Sequence, residues 1–127
     1  MSIGKARYAT YEALTDARLC AMAHSGDRPA EEVLVTRYNR LVRKLARPYY
    51  LAGGDSDDLI QEGMIGLIYA VREFDGGRSA SFRTYAEICI RSRLYTAVRA
   101  AARDKHSPLN QSVPLPFFDS STSIYGA

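Results

Sequence analysis

Apolar residues recur along this chain at spacings of three and four, the pattern of helices that bury one face. Residues that commonly begin or end helices separate these segments. Asp27 and Asp55 can accept hydrogen bonds from a first helical turn, and Gly26 suits the left-handed backbone that follows a last one. No segment keeps the period of two that strands show. The pattern therefore predicts an all-α protein, a compact bundle of about four helices.

The apolar stripes also predict which face each helix buries. The expected buried positions are Ala17, Cys20 and Ala23 in the first helix; Leu34, Tyr38, Leu41, Val42, Leu45 and Tyr49 in the second; Ile60, Met64, Leu67, Val71 and Phe74 in the third; and Phe82, Ala86, Cys89, Ile90, Leu94, Ala97, Val98 and Ala101 in the fourth. Gly63 and Gly66 stand inside the third pattern, although glycine disfavours a helix. Close packing of another helix is the expected reason for both.

The periodicity divides the chain into three segments. Residues 1–13 show no period and are predicted to be a loose N-terminal leader, and residues 14–108 form the helical domain. Residues 109–127 contain two prolines and several serines without a helical period, which predicts a disordered linker or a truncated C-terminal tail. A chain of 127 residues suits one domain of this kind.

Charge distinguishes the last two helices from each other. The segment from 54 to 75, which contains the third helix (the acidic helix), has six acidic residues and one arginine, a net charge of −5. The segment from 78 to 106, which contains the fourth helix (the basic helix), has seven basic and two acidic residues, a net charge of +5. The whole chain carries only +3. A small domain with two oppositely charged helices can bind two unlike partners.

Several classes of function find no support in the sequence. No apolar run approaches the roughly 18 residues of a membrane span, and no secretory leader is recognisable. His24 and His106 lack ligand partners at metal-binding spacing, and no phosphate-binding glycine loop is present. Cys20 and Cys89 fall on apolar phases and are interpreted as reduced core thiols. We therefore expect a cytoplasmic protein that is not an enzyme and has no metal or cofactor.

The acidic helix has a mixed face outside its predicted buried stripe. Its members are Asp58, Gln61, Glu62, Ile65 and either Ile68 or Tyr69, at spacings of three and four. Such a face can simply be solvated. An apolar centre with an acidic border also suits docking onto a basic helical partner, and the sequence leaves both interpretations open.

Along the fourth helix runs a row of residues spaced four positions apart, mostly arginines, which we call the basic row. It comprises Arg83, Glu87, Arg91, Tyr95, Arg99 and Arg103. Because four residues exceed one turn by about 40°, the row winds slowly round the helix and can follow a nucleic-acid backbone. Phe82, Tyr85 and Tyr95 lie among these bases and could stack unpaired bases. Phe82 also suits the core, and the apolar period favours that alternative.

Two adjacent stretches, DDLIQEGMIGLIYAVREFD and SFRTYAEICIRSRL, resemble conserved region 2 of bacterial RNA polymerase sigma factors. The resemblance covers roughly residues 16–110. Within that family, EGMIGL, YAEICI and KHSPLN are most similar to the sigma-H type of sporulation and stationary phase. The resemblance implies an alternative sigma factor domain that binds core polymerase and opens the promoter −10 element.

The resemblance also implies the residues that make these contacts. The acidic helix would bind the coiled coil of the polymerase's largest subunit through Asp58, Gln61, Glu62, Met64 and Ile68. The basic helix would hold the non-template strand of the −10 element, with Tyr85 at the position of the base-capturing aromatic. Together with the basic row, the DNA-binding candidates are Phe82, Arg83, Tyr85, Arg91, Ser92, Tyr95, Arg99, Arg103 and His106.

Two departures from the family pattern bear on function. Housekeeping sigma factors have a tryptophan pair where this chain has Ile88 and Cys89, which argues for an alternative sigma factor with stricter promoters. No helix-turn-helix that would read the −35 element follows, so a fragment or a truncated form is expected. A stand-alone duplex-DNA regulator remains an alternative function. A decoy that binds polymerase or an anti-sigma factor is another alternative. An anti-sigma factor or other regulator is also an expected partner.

Overall fold

The computed structural model describes residues 5–76 and 80–105, with side chains within 8–76 and 80–103. These residues form five α-helices and no strand, which confirms the all-α prediction. The helices are α1 (Lys5–Glu12), α2 (Asp16–His24), α3 (Arg28–Leu51), α4 (Ser56–Glu73) and α5 (Phe82–Lys105). The acidic helix is α4 and the basic helix is α5. Within the described residues, no helix is both long and apolar enough to cross a membrane.

Side-chain caps begin helices α2 to α5, and those at Asp27 and Asp55 are the ones that the sequence predicts. The Thr15 hydroxyl accepts from the Arg18 amide at 3.1 Å. The carboxylates of Asp27 and Asp55 accept from the amides of Ala30 and Asp58, also at 3.1 Å. The Ser81 hydroxyl accepts from the Thr84 amide at 3.2 Å and begins α5. Each cap satisfies an amide that has no partner inside the helix, which is worth about 1 kcal/mol.

The N-terminal segment differs from the loose leader that the sequence predicts. It contains α1, and Tyr11 in that helix is buried. The Tyr11 hydroxyl donates to Asp27 at 2.8 Å. The guanidinium of Arg37 donates to the main-chain oxygens of Glu12 and Leu14 at 3.0 and 3.1 Å. These long-range contacts join α1 to the bundle, and no periodicity within residues 1–13 predicts them.

Helix α4 buries a face displaced from the predicted stripe. Its buried residues are Leu59, Gly63, Gly66, Leu67, Ala70 and Val71, whereas Ile60 and Met64 are only half-buried. The two glycines explain the displacement. A Cβ on Gly63 would lie 2.7 Å from a Val42 methyl carbon, and one on Gly66 would lie 2.8 Å from the Cys89 carbonyl oxygen. The prediction of close helix packing at both glycines is therefore confirmed.

The core lies where α3, α4 and α5 pack together, with α2 across them. Its fully buried side chains include Leu19, Leu34, Val42, Leu67, Ile90 and Leu94. Cys20 and Cys89 are buried free thiols, as predicted. Because α4 and α5 pack closely, their outward faces form adjacent parts of one surface. His106 and the predicted linker of residues 109–127 lie outside the described residues.

Candidate nucleic-acid interface and docking surface

Helix α4 presents a mixed apolar and acidic face to solvent. Ile65 and Tyr69 are 45% and 38% exposed, and because they are four positions apart they are neighbours on one face. Asp58 and Gln61 are exposed on the same face because the four residues are three or four positions apart. We call Asp58, Gln61, Ile65 and Tyr69 the docking surface. Of the two apolar residues that the sequence left open here, Tyr69 is the exposed one and Ile68 is half-buried.

Glu62 borders the docking surface and is held by α5. Its carboxylate accepts a hydrogen bond from the Nε of Arg93 at 2.7 Å, and the two form an ion pair. The pair is partly exposed, so its contribution to stability is small. Its effect is positional, because it fixes the direction of one acidic side chain beside Ile65.

The other two residues that the resemblance assigns to polymerase binding are less accessible. Met64 and Ile68 are both half-buried, and Met64 packs against the core. The structure thus brings Asp58, Gln61 and Glu62 to one surface. Met64 lies along its inner edge.

On α5, Tyr95 and Arg99 form a coupled pair on the outward side. An Nη of Arg99 donates to the Tyr95 hydroxyl at 2.8 Å, and its guanidinium carbon lies 5.6 Å from the centre of the Tyr95 ring. Arg99 is exposed and Tyr95 is half-buried. The pair offers a cation and an aromatic ring to one ligand, which suits a nucleic-acid strand.

Tyr85 lies about three turns before Tyr95, at the border between α4 and α5. Its ring packs against Phe74 with centroids 5.8 Å apart, and it remains half-buried. Burial raises the pKa of its hydroxyl well above the ordinary value, and a hydrogen bond with Cys89 adds to this. The hydroxyl therefore stays protonated at neutral pH. Tyr85 and Arg99 are fourteen residues apart, close to four turns, and so share one side of α5.

Two of the predicted DNA-binding residues lie inside the protein. Phe82 is 3% exposed, and its ring makes edge contacts with Tyr38 and Phe74 at centroid distances of 5.3 and 5.5 Å. Ser92 is 8% exposed. Phe82 is thus a core residue in this conformation, and it supports Phe74, on which Tyr85 packs.

The remaining members of the basic row point in different directions. Arg83 pairs with Glu87 at 3.8 Å, and its positive charge partly offsets the burial and the Asp16 contacts that raise the pKa of Tyr38 in α3. Burial also raises the pKa of Tyr49, and the positive charge of Arg91 partly offsets this. Both arginines therefore lie toward α3, whereas Arg99 lies outward and Arg103 is exposed. The described part of the row divides between two sides of the helix.

Arg93 is the functional candidate that sequence reasoning missed. It lies 31 positions from Glu62, so no helical spacing relates the two residues. The only available signal was that both carry charge next to an apolar stripe. Such a signal does not identify a pair across two helices.

Comparison with known proteins relates this surface to one family. The family described as Sigma-70 region 2 matches residues 34–104, which include most of α3, all of α4 and nearly all of α5. An RNA polymerase sigma-H factor of Bacillus licheniformis is 44% identical over 108 residues, covering 84% of this chain and 48% of that protein. The sigma-H factor of Bacillus subtilis is 43% identical over 108 residues, covering 84% and 50%. The chain spans about half the length of these relatives.

Another sigma factor matches a shorter stretch of the chain. The sigma factor FliA of Pseudomonas aeruginosa is 43% identical over 75 residues, covering 55% of this chain and 30% of that protein.

Proposed function

Since this chain belongs to the sigma-70 family of RNA polymerase sigma factors, close to sigma-H, we propose that it binds core RNA polymerase through α4 and the promoter −10 element through α5. Its role is stoichiometric and not enzymatic. The observation that carries the proposal is the exposure of Ile65 and Tyr69 beside Asp58 on a helix of that family region.

The docking surface has the composition of a protein interface. Large apolar side chains at the centre of an interface lose water on binding, and charged residues at its rim select the partner. Ile65 and Tyr69 supply the centre, while Asp58 and Glu62 supply a negative rim. A basic helical surface, such as the coiled coil of the polymerase's largest subunit, is the complementary partner.

The outward side of α5 has the composition of a surface for single-stranded DNA. Arg99 and Arg103 neutralise phosphates, and the rings of Tyr85 and Tyr95 offer faces to unpaired bases. We infer that Tyr85 captures a base of the non-template strand, and that Tyr95 and Arg99 follow the adjacent backbone. His106 extends this proposal beyond the described residues. Phe82 and Ser92 support this surface from the core, because both are buried.

Co-elution of the 127-residue chain with bacterial core RNA polymerase tests the docking half of this proposal. We expect Glu62→Lys to lower the affinity at least tenfold, because the new cation faces a basic partner. Ile65→Asp, at an exposed position, is expected to do the same without disturbing the fold. Retained binding by both variants would refute docking through α4.

The ion pair with Arg93 calls for a matched control. Arg93→Gln breaks the pair and leaves the Glu62 charge, so it is expected to retain binding. The double variant Glu62→Lys, Arg93→Glu restores a pair of opposite orientation. If that variant still fails to bind, the loss belongs to the charge at position 62 and not to the broken pair. Polymerase binding without promoter opening would instead favour the decoy function.

A further inference from the structure

Helix α3 carries four cations along its solvent face. They are Arg40, Arg43, Lys44 and Arg47, which we call the outer stripe, and all four are exposed. Their offsets of three, four and seven positions put them on one side of the helix. Arg43 and Arg47 each lie two residues from buried Leu45, about 200° round the helix. The outer stripe therefore faces directly away from the core.

No acidic side chain neutralises the outer stripe within the described residues. None of its four members forms an ion pair or a side-chain hydrogen bond there. Other arginines behave differently: Arg37, on the inner part of the same helix, pairs with Asp16 at 2.8 Å, and Arg72 pairs with Glu31 at 3.2 Å. The four cations of the outer stripe thus lack the acidic partners that Arg37 and Arg72 have.

The composition of the outer stripe favours a nucleic acid over a protein partner. Protein interfaces have an apolar centre with few charges, and nucleic-acid interfaces are strongly positive. The outer stripe has no apolar residue among its cations, and exposed Leu51 lies only beyond its end. Its cations extend about 10 Å along the helix axis, a length over which a DNA duplex presents about six phosphates.

The absence of aromatic residues favours a duplex over a single strand. Single-strand surfaces combine cations with rings on which unpaired bases stack. The outer stripe contains no ring, and neighbouring Tyr50 packs against the core. We propose that the outer stripe is a second DNA-binding surface, which holds the phosphate backbone of duplex DNA without reading its sequence. Because it faces away from the core, it binds a stretch of DNA other than the strand at Tyr85.

The salt dependence of binding tests this assignment without polymerase or promoter sequence. The probe is a duplex of random sequence that lacks a −10 element, bound by the 127-residue chain at several salt concentrations. Each phosphate contact contributes about 0.9 to the slope of log K against log salt. Neutralising two contacts with Arg43→Gln, Arg47→Gln is expected to lower that slope by about 1.8. At 50 mM salt the variant is then expected to have lost roughly tenfold more affinity than at 200 mM.

A double variant with the same change in net charge provides the control. Arg18, in the first turn of α2, and Arg28, at the start of α3, are also exposed arginines. Arg18→Gln, Arg28→Gln is expected to leave the slope unchanged. Equal effects of the two double variants would overturn the proposal, because only total charge would then matter.

Two further probes separate other ligands. A single-stranded RNA or DNA of equal length should lose less affinity than the duplex in the stripe variant, and the opposite order would refute duplex binding. Polyglutamate tests an acidic protein partner. If the stripe variant lost polyglutamate binding but kept duplex binding, the outer stripe would be a protein-binding surface. None of these outcomes depends on docking through α4.

Discussion

Replacing Gly66 by alanine perturbs the contact that fixes the positions of α4 and α5. The added Cβ would lie 2.8 Å from the Cys89 carbonyl oxygen, 3.0 Å from the Ile90 Cα and 3.1 Å from the Arg93 Cβ. Two of these atoms belong to the main chain of α5, so no side-chain rotation relieves the clash. The two helices must move apart, and this loosens buried contacts on both sides.

Two opposing effects determine the size of the change. Overpacking a buried site costs about 1–3 kcal/mol, and a backbone contact favours the upper half of that range. Alanine is better than glycine in a helix by about 1 kcal/mol. We therefore expect Gly66→Ala to lower the free energy of unfolding by about 1–2 kcal/mol.

Gly63→Ala provides the matched control on the same helix. Its Cβ would meet one close atom, a Val42 methyl carbon at 2.7 Å, and the next two neighbours lie at 3.6 and 3.7 Å. A single side-chain methyl can shift more easily than a main chain, and the helical gain is the same. The loss of stability is therefore expected to be smaller than at Gly66.

Denaturant unfolding followed by far-UV circular dichroism measures both variants against the parent chain. The expected order of stability is parent, Gly63→Ala, then Gly66→Ala. If Gly66→Ala were as stable as the parent, or if the two variants lost equal amounts, backbone contact would not be what limits the approach of α5. Polymerase co-elution of the folded Gly66→Ala chain would then show whether helix spacing matters for docking.

Two further predictions concern α5. Tyr85→Ala is expected to weaken binding of a single-stranded −10 oligonucleotide by about 1–3 kcal/mol at one base position, as judged from a set of base-substituted oligonucleotides. Arg99→Ala should weaken all of them alike, and an equal loss across the set for Tyr85→Ala would contradict base capture. Burial raises the pKa of the Cys89 thiol from 9.0 to about 11, although a hydrogen bond with Tyr85 lowers it in part. Since the unfolded thiol ionises first, the protonated thiol stabilises the fold fully below pH 9, and this contribution is lost as the pH rises from 9 to 11. Unfolding measured across that range should show a shallower decline for Cys89→Ala than for the parent, and identical declines would count against this assignment.

The sequence predicted the features that depend on near neighbours along the chain. The caps at Asp27 and Asp55, and the exposed apolar residue Ile65 among acids on α4, all follow from spacings of three or four residues. At Phe82 the local pattern and the resemblance disagree. The apolar period predicts a core residue, as the structure has it, whereas the resemblance implies a DNA contact.

Other features come from residues that are distant in sequence. The burial of Tyr11 depends on Asp27, and the buried face of α4 depends on how closely α5 approaches Gly66. No local period contains that information. The sequence therefore predicted α2 to α5 as helices without their mutual contacts, and it did not predict α1.

By itself, the sequence determined that two oppositely charged helices stand next to each other in the chain, and which family they resemble. Only the tertiary structure decided that Glu62 of one helix pairs with Arg93 of the other, and that the arginines of α5 divide between two sides. The physical reason is the range of the interactions involved. Helix formation and capping act within a few residues, whereas packing and ion pairs between helices depend on a three-dimensional arrangement that the whole chain sets.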